Sequence, residues 1–206
     1  MLKITQIPVG MAQSNCYILS NGKNALIIDP GQQASVITHH IEQLNVTPVA
    51  ILLTHTHYDH IGALESIRTE YEIPVYVAAA EQAWLTDPNL NLSALTGEPI
   101  HCRKAEFVFE GSEDITIEDF TFKVVPTPGH SPGGVSFIFT KDALVITGDA
   151  LFAGSVGRTD LPGSEPKKLF DSIRAELFTL PEDYTIYPGH GGASTIGTEI
   201  QTNPFF

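Results

Sequence analysis

Val49-Ala50-Ile51-Leu52-Leu53-Thr54-His55-Thr56-His57-Tyr58-Asp59-His60 sets an apolar run directly against a cluster of ligand-type side chains. Every position from Val49 to Leu53 is apolar, the pattern of a strand covered on both faces of its sheet. A single histidine beyond such a strand is ordinarily a solvated polar residue. Here His55, His57, Asp59 and His60 fall within six positions. That spacing is hard to explain as packing and points to metal binding.

Three later positions repeat the context of a strand followed by glycine and a ligand type: Gly129-His130, Gly148-Asp149 and Gly189-His190. Glycine lets the backbone turn sharply and approach an ion closely. If these strand ends meet at one edge of a sandwich, His55, His57, Asp59, His60, His130, Asp149 and His190 converge. Seven ligands are too many for one tetrahedral catalytic ion. They suit two ions about 3.5–4 Å apart that share a carboxylate and a bridging water or hydroxide. Imidazoles and carboxylates without a thiolate favour Zn(II), Fe(II) or Mn(II) over Cu(I), with Zn(II) the expected pair. His39, His40 and His101 lack the glycine context and read as surface or helix-face residues.

The chain of 206 residues, 42% of them hydrophobic, is long enough to bury a sizeable core and reads as one domain over residues 1–206. A net charge of −13 argues against nucleic acid or an anionic membrane as partner. Cys16 and Cys102 are far apart, form no C-x-x-C and read as free thiols. The N-terminal residues alternate like a strand and lack the apolar core of a signal peptide. No run approaches membrane-spanning length. The expected location is the cytoplasm.

Pattern and turn chemistry predict strands at Leu2–Val9 and Asn15–Ser20, joined through Pro8-Val9-Gly10, then Ala25–Ile28 after an Asn21-Gly22 turn. A helix is expected over Ser35–Leu44, and another over His60–Tyr71 with Asp59 at its N-cap. Val75–Val77 reads as a strand and Ala79–Leu85 as a helix, followed by an irregular rim or lid over Asn89–Cys102. Further strands are expected at Phe107–Phe109, Asp114–Ile117, Phe120–Val125, Val135–Phe139, Ala143–Thr147 and Tyr184–Tyr187. A long loop, Ala150–Glu165, leads to a helix from Pro166 to Phe178, and a short helix starts near Ser194. Two similar runs of strands and βα units predict an α/β fold: a four-layer αββα sandwich of two mixed sheets with helices outside.

With these residues assembled, the chain resembles the metallo-β-lactamase superfamily, whose T-H-x-H-x-D-H signature is matched by Thr54-His55-Thr56-His57-Tyr58-Asp59-His60 and completed by His130, Asp149 and His190. Thr127-Pro128-Gly129-His130-Ser131-Pro132-Gly133, Gly148-Asp149-Ala150-Leu151-Phe152 and Gly157-Arg158-Thr159-Asp160 are similar to glyoxalase II (hydroxyacylglutathione hydrolase) relatives. The resemblance spans essentially the whole length. It implies that His55, His57 and His130 hold a first metal, that Asp59, His60 and His190 hold a second, and that Asp149 bridges them. Full-length glyoxalase II enzymes append a helical substrate domain. Only Gly191–Phe206 follow the last ligand here, which matches the short glyoxalase II-like architecture.

The activity implied is binuclear hydrolysis of a small thioester, such as S-lactoylglutathione or a related thiol conjugate, by metal-bridging hydroxide. Asp149 and Asp59 are the catalytic candidates, Asp59 as a ligand that also orients or accepts the hydroxide proton. Arg158 is expected either to bind a substrate carboxylate or to fix its loop through carbonyls. The alternative is a persulfide dioxygenase using one Fe(II) on His55, His130 and Asp149. β-Lactam hydrolysis is disfavoured by the missing secretory signal, and nuclease activity by the acidic charge.

Overall fold

A computed structural model describes all residues, 1–206. β1 (Lys3–Val9), β2 (Ser14–Ser20) and β3 (Asn24–Ile28) pair antiparallel. Helix α1 (Ala34–Leu44) then carries the chain back to β4 (Thr47–Leu52), which lies parallel to β3. Helices α2 (Tyr58–Ile61) and α3 (Leu64–Tyr71) lead to β5 (Val75–Ala78) and then β6 (Phe107–Phe109), both added in parallel. This first sheet has the order β1-β2-β3-β4-β5-β6.

The second sheet begins with an antiparallel run of β7 (Glu113–Ile117), β8 (Phe120–Pro126), β9 (Val135–Phe139) and β10 (Leu144–Gly148). A small hairpin of β11 (Leu151–Phe152) and β12 (Ser155–Val156) and helix α4 (Pro166–Ser172) follow. β13 (Thr185–Pro188) lies parallel to β10, β14 (Ser194–Thr195) pairs antiparallel with β13, and α5 (Ile196–Thr202) comes last.

Strand alternation divides the burial among three cores. On β2 and β3, Cys16, Ile18, Ala25 and Ile27 pack against Ile37 and Ile41 of α1 and Leu64 and Ile67 of α3. Their neighbours Tyr17, Leu19, Leu26 and Ile28 face Phe120, Phe122, Phe137 and Phe139 of the other sheet. Val125, Ile138, Val145 and Ile186 cover the outer face of the second sheet with Leu169, Ile173, Leu177 and Ile196. The result is the expected four-layer sandwich of mixed sheets. Each fully buried Ile, Leu or Phe contributes about 1.5–3 kcal/mol, so the cores on both faces of β2 and β3 explain why those strands are apolar without alternation.

Local departures from the sequence pattern have nonlocal causes. Pro8 and Val9 belong to β1, paired with Asn15 and Ser14, and the turn is residues 10–13. β1 is an edge strand, where a residue without an N–H is tolerated. The helix expected over His60–Tyr71 is two helices. Ala63 N donates to Pro30 O (3.0 Å), and a Cβ on Gly62 would lie 2.3 Å from Gly31 O, so contact with the Pro30-Gly31 turn breaks the helix there. His57, not Asp59, is the N-cap of α2; Asp59 lies in the first turn.

Ala79–Leu85 forms two 3-10 turns, Ala79–Glu81 and Trp84–Thr86, instead of a helix. Glu81 is drawn inward there by partners described below. The Ala150–Glu165 loop contains the β11–β12 hairpin, and Asn89–Cys102 is irregular apart from a 3-10 turn at Ser93–Thr96. α4 continues through a π-helical turn, Ile173–Leu177, to the expected end near Phe178. No helix is long and apolar enough to cross a membrane.

Candidate metal centre

The C-terminal ends of β4, β8, β10 and β13 open onto one edge of the sandwich, and the structure brings all seven expected residues together there. β4 delivers His55 and His57, and α2 delivers Asp59 and His60 one turn later. His130 follows β8, Asp149 follows β10 and His190 follows β13. All three preceding glycines are required by space; Gly129 has φ +135°, and a Cβ there would lie 2.2 Å from Leu169 N. Gly148 has φ +51°, and a Cβ there would lie 2.6 Å from Thr54 Cβ. A Cβ on Gly189 would lie 2.0 Å from Asp149 Oδ1.

Two triads result, each with ligand atoms within 4.8 Å of one another: His55, His57 and His130, and Asp59, His60 and His190. His57 Nδ1 faces His130 Nε2 at 3.0 Å, a separation available to two ligands of one ion. Asp59 Oδ2 lies 3.2 Å from His190 Nε2 and 3.6 Å from His60 Nε2. Asp149 stands between the triads, with Oδ2 3.4 Å from His130 Nε2 and 3.5 Å from His190 Nε2, and Oδ1 3.5 Å from His60 Nε2.

His55 Nε2, His57 Nε2, His60 Nε2 and Asp149 Oδ1 are buried without a hydrogen-bond partner. Each such atom ordinarily costs about 1–3 kcal/mol. Several at one point fit a donor set for cations.

The outer partners turn the rings inward. His130 Nδ1 donates to Arg158 O (2.8 Å) and His190 Nδ1 to Ala12 O (3.2 Å), which turns each Nε2 toward the centre, where a cation can take the place of a proton. His55 Nδ1 meets Thr54 Oγ1 at 3.1 Å and His60 Nδ1 meets Asp29 Oδ2 at 3.0 Å. Asp29 also accepts from Thr54 N (2.8 Å) and Thr54 Oγ1 (2.5 Å). Asp29 falls within a third grouping with His55 and His60. Its oxygens are already committed, so it acts as an outer clamp.

Glu81 is the corresponding clamp on the other side. Its carboxylate accepts from Thr56 N (2.7 Å), Thr56 Oγ1 (2.8 Å) and Gly133 N (2.8 Å), tying the His55–His57 loop to the His130 loop. Burial pushes the Glu81 carboxyl up. Neither Asp29 nor Glu81 is among the ligand candidates the sequence offers: Asp29 follows the strand expected at Ala25–Ile28, and Glu81 falls inside the helix expected over Ala79–Leu85.

The protons follow the charges. Burial and the neighbouring imidazoles lower His55, and burial with His130 brings His57 down to about 3. For His60 burial is outweighed by Asp59, Asp149 and Asp29, giving about 9. His190 rises to about 10 against burial because Asp149 and Asp59 accept from it. Asp59 and Asp149 are lowered despite burial, chiefly by His60 and His190. The centre holds two carboxylates as anions, and a divalent cation satisfies them in place of protons.

Arg158 is exposed, and its guanidinium pairs with Asp160 through contacts of 2.6 and 2.8 Å. Its backbone carbonyl, rather than its side chain, supports the site. His39 and His101 are exposed and His40 half-buried, outside the centre, and both cysteines are free and buried.

Trp84, the sole tryptophan, stands 5.9 Å from His57, ring centre to ring centre. Its emission is expected to change when bound metal is chelated and to return on reloading. Constant emission while metal content falls would place the ions elsewhere.

Comparison with known proteins agrees with the geometry. The profile of the metallo-beta-lactamase superfamily matches residues 9–190. A probable metallo-hydrolase of Streptococcus pyogenes is 46% identical, with 100% of this chain and 91% of that protein covered. Hydroxyacylglutathione hydrolase GloC of Haemophilus influenzae is 35% identical over 99% of this chain and 98% of its own. Among solved structures, the BLEG-1 B3 metallo-beta-lactamase superposes with a TM-score of 0.96 at 45% identity, covering 98% of this chain and 99% of that one. A protein crystallised in a di-iron-bound form gives 0.88 at 35% identity, covering 98% and 100%. The chain belongs to the metallo-beta-lactamase superfamily, among its metal-dependent hydrolases.

Proposed function

We propose that residues 1–206 act as one domain that hydrolyses small thioesters at a two-metal centre. His55, His57 and His130 hold one ion, Asp59, His60 and His190 the other, and Asp149 both. The observation that carries this reading is the Asp149 carboxylate, set between two complete triads. Bound divalent ions supply an acidified water and Lewis-acid stabilisation of the developing oxyanion. Asp59, at the open side of the centre, orients the attacking water and holds its proton. The water oxygen bonds to the acyl carbon as the acyl carbon–sulfur bond breaks, the thiol departs as thiolate with the released proton on Asp59, and the carboxylic acid is the other product. The name of the GloC relative supports a thioester substrate, and the di-iron relative supports a dinuclear centre that accepts iron as well as the expected zinc.

S-lactoylglutathione hydrolysis by the metal-loaded protein, with bound metal counted, tests the proposal. Turnover lost on chelation and regained on reloading supports it. A second reading, β-lactam amide hydrolysis, is favoured by the name of the 45% identical BLEG-1 structure. A chromogenic cephalosporin in the same assay separates the two. The persulfide dioxygenase alternative leaves Asp59, His60 and His190 without a task, and oxygen uptake with glutathione persulfide would reveal it.

A further inference from the structure

We infer that the cleft over the metal centre selects its thioester by an apolar acyl chain, favouring medium-length aliphatic acyl groups over lactoyl. This rests on the thioesterase reading and names the substrate class within it. The cleft has a volume of about 540 Å³, and Leu92, Leu95, Phe152, Val156 and Leu161 line it above the metal ligands. Leu95 is 79% exposed on that wall.

Both walls are built before any substrate arrives. Buried Asn91 anchors the Leu92–Leu95 side: its carbonyl accepts from Tyr58 N (2.9 Å), and its amide donates to Trp84 O (3.0 Å) and Ile100 O (3.1 Å). The Phe152–Val156 side is pinned by buried Glu199, which accepts from Gly154 N (2.9 Å), and by Asn203, which donates to Ser155 O (3.0 Å). An apolar surface fixed in this way is a preformed subsite for an apolar group.

Charge points the same way. Arg158 is the one lysine or arginine in the cleft wall, and Asp160 already neutralises it. A carrier thiol bearing two carboxylates finds no pair of free cations here, and the protein as a whole is strongly acidic. Soluble acyl-carrier thiols are polar, so the acyl group is the part of a thioester that matches these walls. The carrier then stays toward solvent at the mouth.

The test is kcat/KM for acetyl, butanoyl, hexanoyl, octanoyl and lactoyl thioesters of one uncharged thiol, N-acetylcysteamine, with the metal-loaded protein. The expected result is a rise of about fourfold per added methylene until the cleft is filled, with lactoyl below butanoyl. Leu95→Ser, on the surface and away from the cores, is expected to lower the hexanoyl-to-acetyl ratio about fivefold or more, following the loss of apolar contact. A series that is flat or falls with chain length overturns the inference while leaving thioester hydrolysis standing. So does a ratio unchanged in the Leu95 variant. Failure to cleave any member with both metals bound overturns the thioesterase reading and this inference together.

Discussion

Asp149→Asn reduces turnover by a factor on the order of a thousand or more and leaves the sandwich folded. The two Asp149 oxygens face nitrogens of both triads at 3.4–3.5 Å. The amide keeps the shape but replaces one oxygen with an NH2 that cannot ligate, and it removes the negative charge that would lie between the two proposed cations. Metal catalysis supplies several kcal/mol of transition-state stabilisation, and each 1.36 kcal/mol is tenfold in rate. Folding is spared because the Asp149 carboxylate holds no backbone N–H: Oδ1 has no hydrogen-bond partner and Oδ2 faces only His130 and His190. Kinetics, metal analysis and circular dichroism on one sample check this. Turnover within tenfold of wild type, with both ions retained, would remove the bridging role.

Glu81→Ala is expected to cost about 4 kcal/mol of stability, a large part of the roughly 5–15 kcal/mol a domain has. It strips partners from two backbone N–H groups and one hydroxyl, each worth about 1–3 kcal/mol when buried and unmatched. For a chain of this size that is a fall in Tm of about 8–16 °C. Thr56 sits between His55 and His57, and Gly133 lies on the His130 loop. Metal affinity therefore falls as well, by about 10–100-fold, as for other outer-partner changes. Glu81→Gln should be milder, since its carbonyl still accepts on one side. Thermal unfolding and metal titration read both effects; wild-type values for the alanine variant would show the clamp to be idle.

Much of this was legible in the sequence because its causes are local. The apolar run Val49–Leu53 signals cover on both faces whatever its partners are. The glycine before His130, Asp149 and His190 marks a tight approach without naming what is approached. The break after Ile61 depends on Pro30 and Gly31, in contact with it in the fold but far from it along the chain, and no pattern within residues 60–71 contains it. Glu81 and Asp29 are ordinary carboxylates by type. Their roles come from donors on other loops, 25 residues distant at Thr54 and Thr56 and 52 at Gly133. Two-residue strands such as β11 and β14 are too short to show a period.

The origin of the ligands also fixes an order of assembly. The cluster at residues 55–60 completes neither triad: it gives two ligands to each, and the second sheet supplies the third. His57 and His130, side by side in the centre, are 73 residues apart along the chain. Neither triad has its third member until the segments carrying His130 and His190 reach the 55–60 cluster, so the two sheets dock before a full site exists. Ions held there would thus be late arrivals in a finished scaffold rather than seeds of it. Stripping them is expected to leave the sandwich standing, with unfolding still cooperative in the presence of a chelator.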